Sequence, residues 1–177
     1  SAGVALITGN GDMNVYKEKG KVSNLEELVH DRDCSGQLGI AHTRWATHGE
    51  PSAINAHPHT SQSGNLAIVH NGIIENYASL KTLLEKEGYS FKSCTDTEVL
   101  VQLIEYMQIK YNKSVENATI MALRMVVGAY AIAVIDKNNP DKIVVARKSS
   151  PLVIGIGENN SEFFLASDAL PIIEYTK

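Results

Sequence analysis

The apolar positions along the chain follow two periods, and where one gives way to the other the chain divides into three parts. Ala2 to Thr8 is a short apolar run closed by Gly9-Asn10-Gly11-Asp12, and Asn14 to Lys19 alternates behind that turn, so a hairpin opens the sequence. Ser23 and Glu26 stand at capping-box spacing around Leu25, with Leu28 and Val29 following, which predicts a short helix. Leu38 to Thr43 reads as a strand feeding a long irregular stretch from Arg44 to Gly64. Leu66 to His70 is a continuous apolar run, hence a buried strand, and Asn71-Gly72 is expected to end it.

Beyond that point the period lengthens. Leu80, Leu83 and Leu84 share one face of a helix from about Asn76 to Glu87, with Gly88 as its stop. Thr95 and Glu98 make a second capping box, opening a helix whose stripe is Val99, Leu100, Leu103, Ile104 and Met107. A third helix covers about Val115 to Val127. Strands return at Ala129 to Ile135, Ile143 to Arg147, Leu152 to Ile156 and Phe163 to Ser167. Strands, then helices, then strands is not the strict alternation of a doubly wound sheet. The pattern predicts one α+β domain with two antiparallel sheets and helices outside them.

The irregular stretch is rich in groups that recognise anions. It reads His42-Thr43-Arg44-Trp45-Ala46-Thr47-His48-Gly49-Glu50-Pro51, then Asn55-Ala56-His57-Pro58-His59. Arg44 offers a planar fork suited to a carboxylate, Thr47 and His48 can add hydrogen bonds, and Trp45 can close a pocket against water. A loop this long inside a small domain points to function. Asn71-Gly72 has two readings, a tight turn or a pair of donors for a developing oxyanion. The helix that follows leaves no returning strand nearby and weakens the first. Asp96, in the first turn of a helix, suits the helix dipole and is also a candidate partner for an ammonium group. Five of the six histidines lie between His42 and His70. Their spacings match no zinc pattern, so no metal is expected.

Composition narrows the classes. Hydrophobic residues make up 44% and charged residues 20%, an ordinary globular balance, and a net charge of −4 argues against a nucleic-acid surface. No apolar run approaches the ~20 residues of a membrane helix. Cys34 and Cys94 lie far apart and read as reduced thiols, which favours the cytoplasm. Asn-x-Ser/Thr triplets at Asn112, Asn117 and Asn159 carry no weight in such a protein.

The blocks Gly39 to Pro51, Asn55 to His59 and His70-Asn71-Gly72-Ile73-Ile74-Glu75-Asn76 resemble the glutaminase (type 2 glutamine amidotransferase) domain of the glucosamine-6-phosphate synthases, also called glutamine–fructose-6-phosphate aminotransferases (isomerising). Thr95-Asp96-Thr97-Glu98, Gly128-Ala129-Tyr130, Ser150 to Gly155 and Ser167-Asp168 continue the resemblance in order, so it covers essentially residues 1–177. It implies an N-terminal-nucleophile hydrolase fold, an αββα sandwich of two antiparallel sheets between helical layers. It implies that Arg44 binds the α-carboxylate of L-glutamine with Thr47 and His48 nearby, and that Asp96 and the Gly72 backbone take the α-ammonium. Asn71 and Gly72 would form the oxyanion hole, and Trp45 would lie on the loop that covers the pocket. It implies no cofactor. Ammonia would pass to sugar-phosphate isomerase domains of a longer, homo-oligomeric parent enzyme.

The family's nucleophile is an N-terminal Cys on a first strand, followed by a helix, and neither is in this sequence. Ser1 matches an interior strand position of the family, and neither Cys34 nor Cys94 matches its nucleophile. The chain is therefore expected to be a partial domain that binds glutamine without cleaving it, with a sheet edge and an apolar face left uncovered. A purely regulatory glutamine-binding domain and a different type 2 amidotransferase are the alternatives.

Overall fold

The computed structural model describes residues 1–45 and 51–176. β1 (Ala2–Ile7) is flanked by β2 (Met13–Glu18) and β3 (Leu38–Thr43) in an antiparallel three-stranded sheet, with β3 at one edge. α1 (Val22–Val29) packs on the β1–β2 side. A second antiparallel sheet has the order β4 (His59–Thr60), β5 (Leu66–Ile74), β6 (Gly128–Asp136), β7 (Asn139–Lys148). α2 (Tyr77–Lys86), α3 (Asp96–Tyr111) and α4 (Val115–Met125) cover its outer face. A separate ribbon of β8 (Val153–Ile156) and β9 (Phe163–Ala166) follows.

Alternation along β5 and β6 builds both cores. Leu66, Ile68, Tyr130, Ile132 and Val134 point to the helices, while Ala67, Val69, Ala133 and Ile135 point to the first sheet and meet Ala5, Ile7 and Ile40. The result is the expected layering of two antiparallel sheets with helices outside them.

α3 is buried from Thr97 to Glu105 without a break, so its predicted apolar stripe is only part of its contact surface. The polar members of that run hold the loops around it. Gln102 Oε1 accepts from Gln62 N at 2.8 Å, Glu105 from Ser63, and Glu98 from the Lys92 and Ser93 amides and the Ser93 hydroxyl. Each buried carboxylate or amide is thereby satisfied, which burial demands.

Three local expectations need correction. Asn71-Gly72 does not end its strand: β5 runs on to Ile74, because β6 pairs beside all nine residues from Leu66 to Ile74. Ser23 does not cap α1; the left-handed turn at Gly20 (φ +104°) delivers the chain into the helix at Val22, with Lys21 at the N-cap and no side-chain cap. α4 stops at Met125, where Asn76 clamps the chain by donating to Met125 O and accepting from Val127 N. The Thr95 box holds in its first half. Thr95 Oγ1 accepts from Glu98 N at 3.3 Å, while the Glu98 carboxylate turns to Lys92 and Ser93. Thr95→Ala is expected to lower stability by about 1 kcal/mol, read as a shift of the urea midpoint.

Candidate active site

Between the two sheets, α1 and the β8–β9 ribbon lies a groove of about 400 Å³. Leu25, Val69, Ala133, Leu152 and Leu165 make its walls largely apolar, and His42, Thr43, His70 and Asn71 bring polar groups to one end. β3 supplies His42 and Thr43, and β5 supplies His70 and Asn71, so the polar end joins the two sheets.

Asn71 is exposed and its Oδ1 lies 2.6 Å from His42 Nε2. Gly72, next along the strand, has φ +125°, and a Cβ built there would lie 2.1 Å from Ala129 O. Only glycine allows β5 and β6 to approach this closely. Asp96 opens α3, and its Oδ2 accepts the Ile74 N–H at 2.8 Å. The carboxylate is thus tied to the end of the strand that carries Asn71 and Gly72. Arg44 continues β3, its amide donating to Ser1 O at 2.8 Å and its carbonyl accepting the Ser1 ammonium at 3.1 Å. Ser1 is therefore the paired neighbour of Arg44 at the end of β1.

Trp45 is 89% exposed and does not pack over the groove. Thr47 and His48 lie outside the described residues. The groove itself touches Asn71 among the expected site residues; Gly72, Arg44 and Asp96 stand beyond its lining. Both cysteines are exposed and neither borders it.

The residues that sequence reasoning missed stand behind Asn71. His42 stacks on His57 with ring centroids 4.3 Å apart, and His57 meets His59 edge-on at 5.0 Å. His57 Nδ1 accepts the His70 backbone N–H at 3.3 Å. Thr97 Oγ1 sits 2.9 Å from His70 Nδ1 and 3.4 Å from His57 Nε2, and Thr95 Oγ1 lies 3.0 Å from His59 Nε2. Burial lowers the pKa of all four imidazoles. His59, with Lys17 adding repulsion, is brought down to about 3; the Asp96 carboxylate pulls the other way on His70. The cluster is uncharged at neutral pH. The crowding of histidines was visible in the sequence, but the threonines that join them were not marked by any spacing. Among the described residues no group of three His, Cys, Asp or Glu side chains is disposed to hold a metal ion.

A family model for the glutamine amidotransferase domain matches residues 42–174. The chain belongs to the glutamine amidotransferase domain family. Over 99% of its length it is 65% identical to a glutamine–fructose-6-phosphate aminotransferase (isomerising) from Bacteroides thetaiotaomicron, and over the same share 57% identical to that of Chlorobaculum tepidum. It spans about 28% and 29% of those relatives' lengths. Among solved structures it resembles the glutamine phosphoribosylpyrophosphate amidotransferase of B. subtilis, with TM-score 0.80 and 27% identity over 97% of this chain and 36% of that one. A structure described as the allosteric regulatory enzyme of purine biosynthesis gives TM-score 0.81 at 28% identity, again over 97% of this chain and 36% of that one. These neighbours bear out the N-terminal-nucleophile amidotransferase fold. No helix among the described residues is long and apolar enough to cross a membrane.

Proposed function

We propose that this chain is the glutamine-binding part of a glutamine–fructose-6-phosphate aminotransferase (isomerising), the enzyme that makes glucosamine 6-phosphate from fructose 6-phosphate and L-glutamine. The observation that carries the reading is the bond from Ile74 N to Asp96 Oδ2. It fixes an anionic group two residues beyond Gly72 and three beyond Asn71, roughly 7–10 Å along the strand. An amino acid laid along the end of β5 meets a carboxylate for its α-ammonium and amide donors for its side-chain oxygen. Arg44, just past the end of β3, takes the α-carboxylate, and Thr47 and His48 are assigned as further donors to it. Trp45, exposed in this structure, is assigned to turn in over the bound ligand. Asn71 and Gly72 stabilise the oxyanion formed when the carboxamide is attacked, which is the largest single contribution in acyl transfer.

Cleavage also needs a nucleophile, and neither cysteine borders the groove. We assign the attacking Cys to a segment of the parent enzyme outside these residues. The β3 edge, which carries no further strand among the described residues, and the apolar groove beside it would receive that segment. The ammonia acceptor is a sugar-phosphate isomerase part of the same homo-oligomeric, cytoplasmic parent. The 65% identity to the aminotransferase, against 27% to the phosphoribosylpyrophosphate enzyme, favours this acceptor over a purine precursor.

Calorimetry on the 177-residue chain tests the reading. L-Glutamine is expected to bind and release no glutamate. Arg44→Ala is expected to weaken binding by about 100-fold, the worth of a charge-assisted pair at a carboxylate. Equal binding by Arg44→Ala would remove the carboxylate assignment, and steady glutamate release would remove the assignment of the nucleophile.

A further inference from the structure

We propose that His42 is a positioning residue for Asn71, holding that side-chain amide in the orientation that offers its N–H groups to the ligand oxygen. The inference rests on the reading of Asn71 as a donor to glutamine and adds to it a residue from the three-stranded sheet. His42 lies on β3 and Asn71 on β5, so the 2.6 Å contact between Nε2 and Oδ1 crosses from one sheet to the other.

A carboxamide oxygen only accepts, so the Nε2 that faces it carries the proton. With Oδ1 turned to the ring, the two amide N–H groups are the part of Asn71 left for a ligand. The ring in turn has little freedom. His57 stacks against it, and His57 is pinned by the His70 backbone N–H at Nδ1 and by Thr97 at Nε2. Nδ1 of His42 is buried, and its approach to the His70 carbonyl falls short of a well-formed hydrogen bond. An apolar ring would fill this space without that cost, so packing alone does not account for a histidine. A donor aimed at Asn71 does. The carbonyl of His70 also lies near the ring, and it is the acceptor that the opposite tautomer would use. That tautomer would turn the Asn71 amide over and present its oxygen to the ligand, where it would repel the carboxamide oxygen.

Two measurements on the 177-residue chain decide between these arrangements. Long-range proton–nitrogen correlation of the 15N-labelled protein is expected to show the His42 proton on Nε2; a proton on Nδ1 overturns the proposal, whatever the variants do. Calorimetry then compares L-glutamine with L-norvaline, which keeps the α-groups and lacks the carboxamide. His42→Phe, which preserves the stacked ring, is expected to lose about 10-fold or more in glutamine affinity, the loss of one oriented donor. Norvaline affinity is expected to stay the same, and His42→Gln, which restores an N–H, to recover part of the loss. Equal losses for both ligands, or an unchanged glutamine affinity, overturn the role. If the unsubstituted chain binds norvaline and not glutamine, the carboxamide site itself is wrong and His42 falls with it. If it binds neither, the glutamine reading as a whole has failed.

Discussion

Lowering the pH from 7.5 to 5 is expected to cost this protein several kcal/mol of stability, and the histidine cluster is the reason. Free imidazoles take up protons near pH 6.5. In the fold, burial holds His42, His57, His59 and His70 below that value, His59 down to about 3. Arg44 adds repulsion at His42, His57 and His59, and Lys17 at His59; Asp96 offsets part of it at His70. The unfolded chain therefore binds more protons than the folded one below pH 6.5. The stability is fully present above that pH and is lost as pH falls through the window from 6.5 towards 3. Each ring that stays neutral contributes a slope of about 1.4 kcal/mol per pH unit, so His57 and His59 alone give about 3 kcal/mol per unit. Between pH 6.5 and 5 that is about 4 kcal/mol, a large share of the roughly 5–15 kcal/mol that holds a domain together. Urea midpoints at pH 7.5, 6.5 and 5.5 measure it, and a midpoint that stays level across the series would mean that water reaches the rings.

Replacing Gly72 with alanine should be nearly as damaging. Two penalties coincide at this position. The backbone sits at φ +125°, which an L side chain avoids, and the new Cβ would lie 2.1 Å from Ala129 O and 2.8 Å from Ala129 C. The obstacle is backbone in a paired strand, so no side chain can move aside to relieve it. Gly128 faces the same problem from the other strand, its Cβ position lying 2.0 Å from Ile73 O. The strands must part where Asn71 and Asp96 are held. A loss of about 3–5 kcal/mol is expected, in the range of the severest single substitutions. Chemical unfolding gives the number, and a loss below about 1 kcal/mol would show that β5 and β6 can separate here cheaply.

What the sequence disclosed depended on the range of the interaction that set each element. Leu38–Thr43 was readable to the residue, because its pattern and its flanking breaks are local. The Thr95 cap was readable for the same reason. The end of β5 was not. Asn71 and Gly72 stay in the strand because Ala131 and Tyr130, some sixty positions away, pair beside them. No local propensity reports such a partner. The site divides in the same way. Arg44, Asn71, Gly72 and Asp96 stood out in short blocks as partners for a carboxylate, an oxyanion and an ammonium, and resemblance to a family added the ligand that joins those roles. The bond between Asp96 and Ile74, and the histidines stacked behind Asn71, needed the fold.

The unbroken burial of α3 from Thr97 to Glu105 restricts how this protein can vary. Most helices leave one side free for neutral substitution, and drift accumulates there. This one has such freedom only in its final turn, at Ile109, Lys110 and Tyr111. Upstream, every position either fills the core, ties down a loop or sits behind the histidines. Change in the proposed glutamine site must therefore come from the strands and loops that surround the helix, while the helix itself stays as it is.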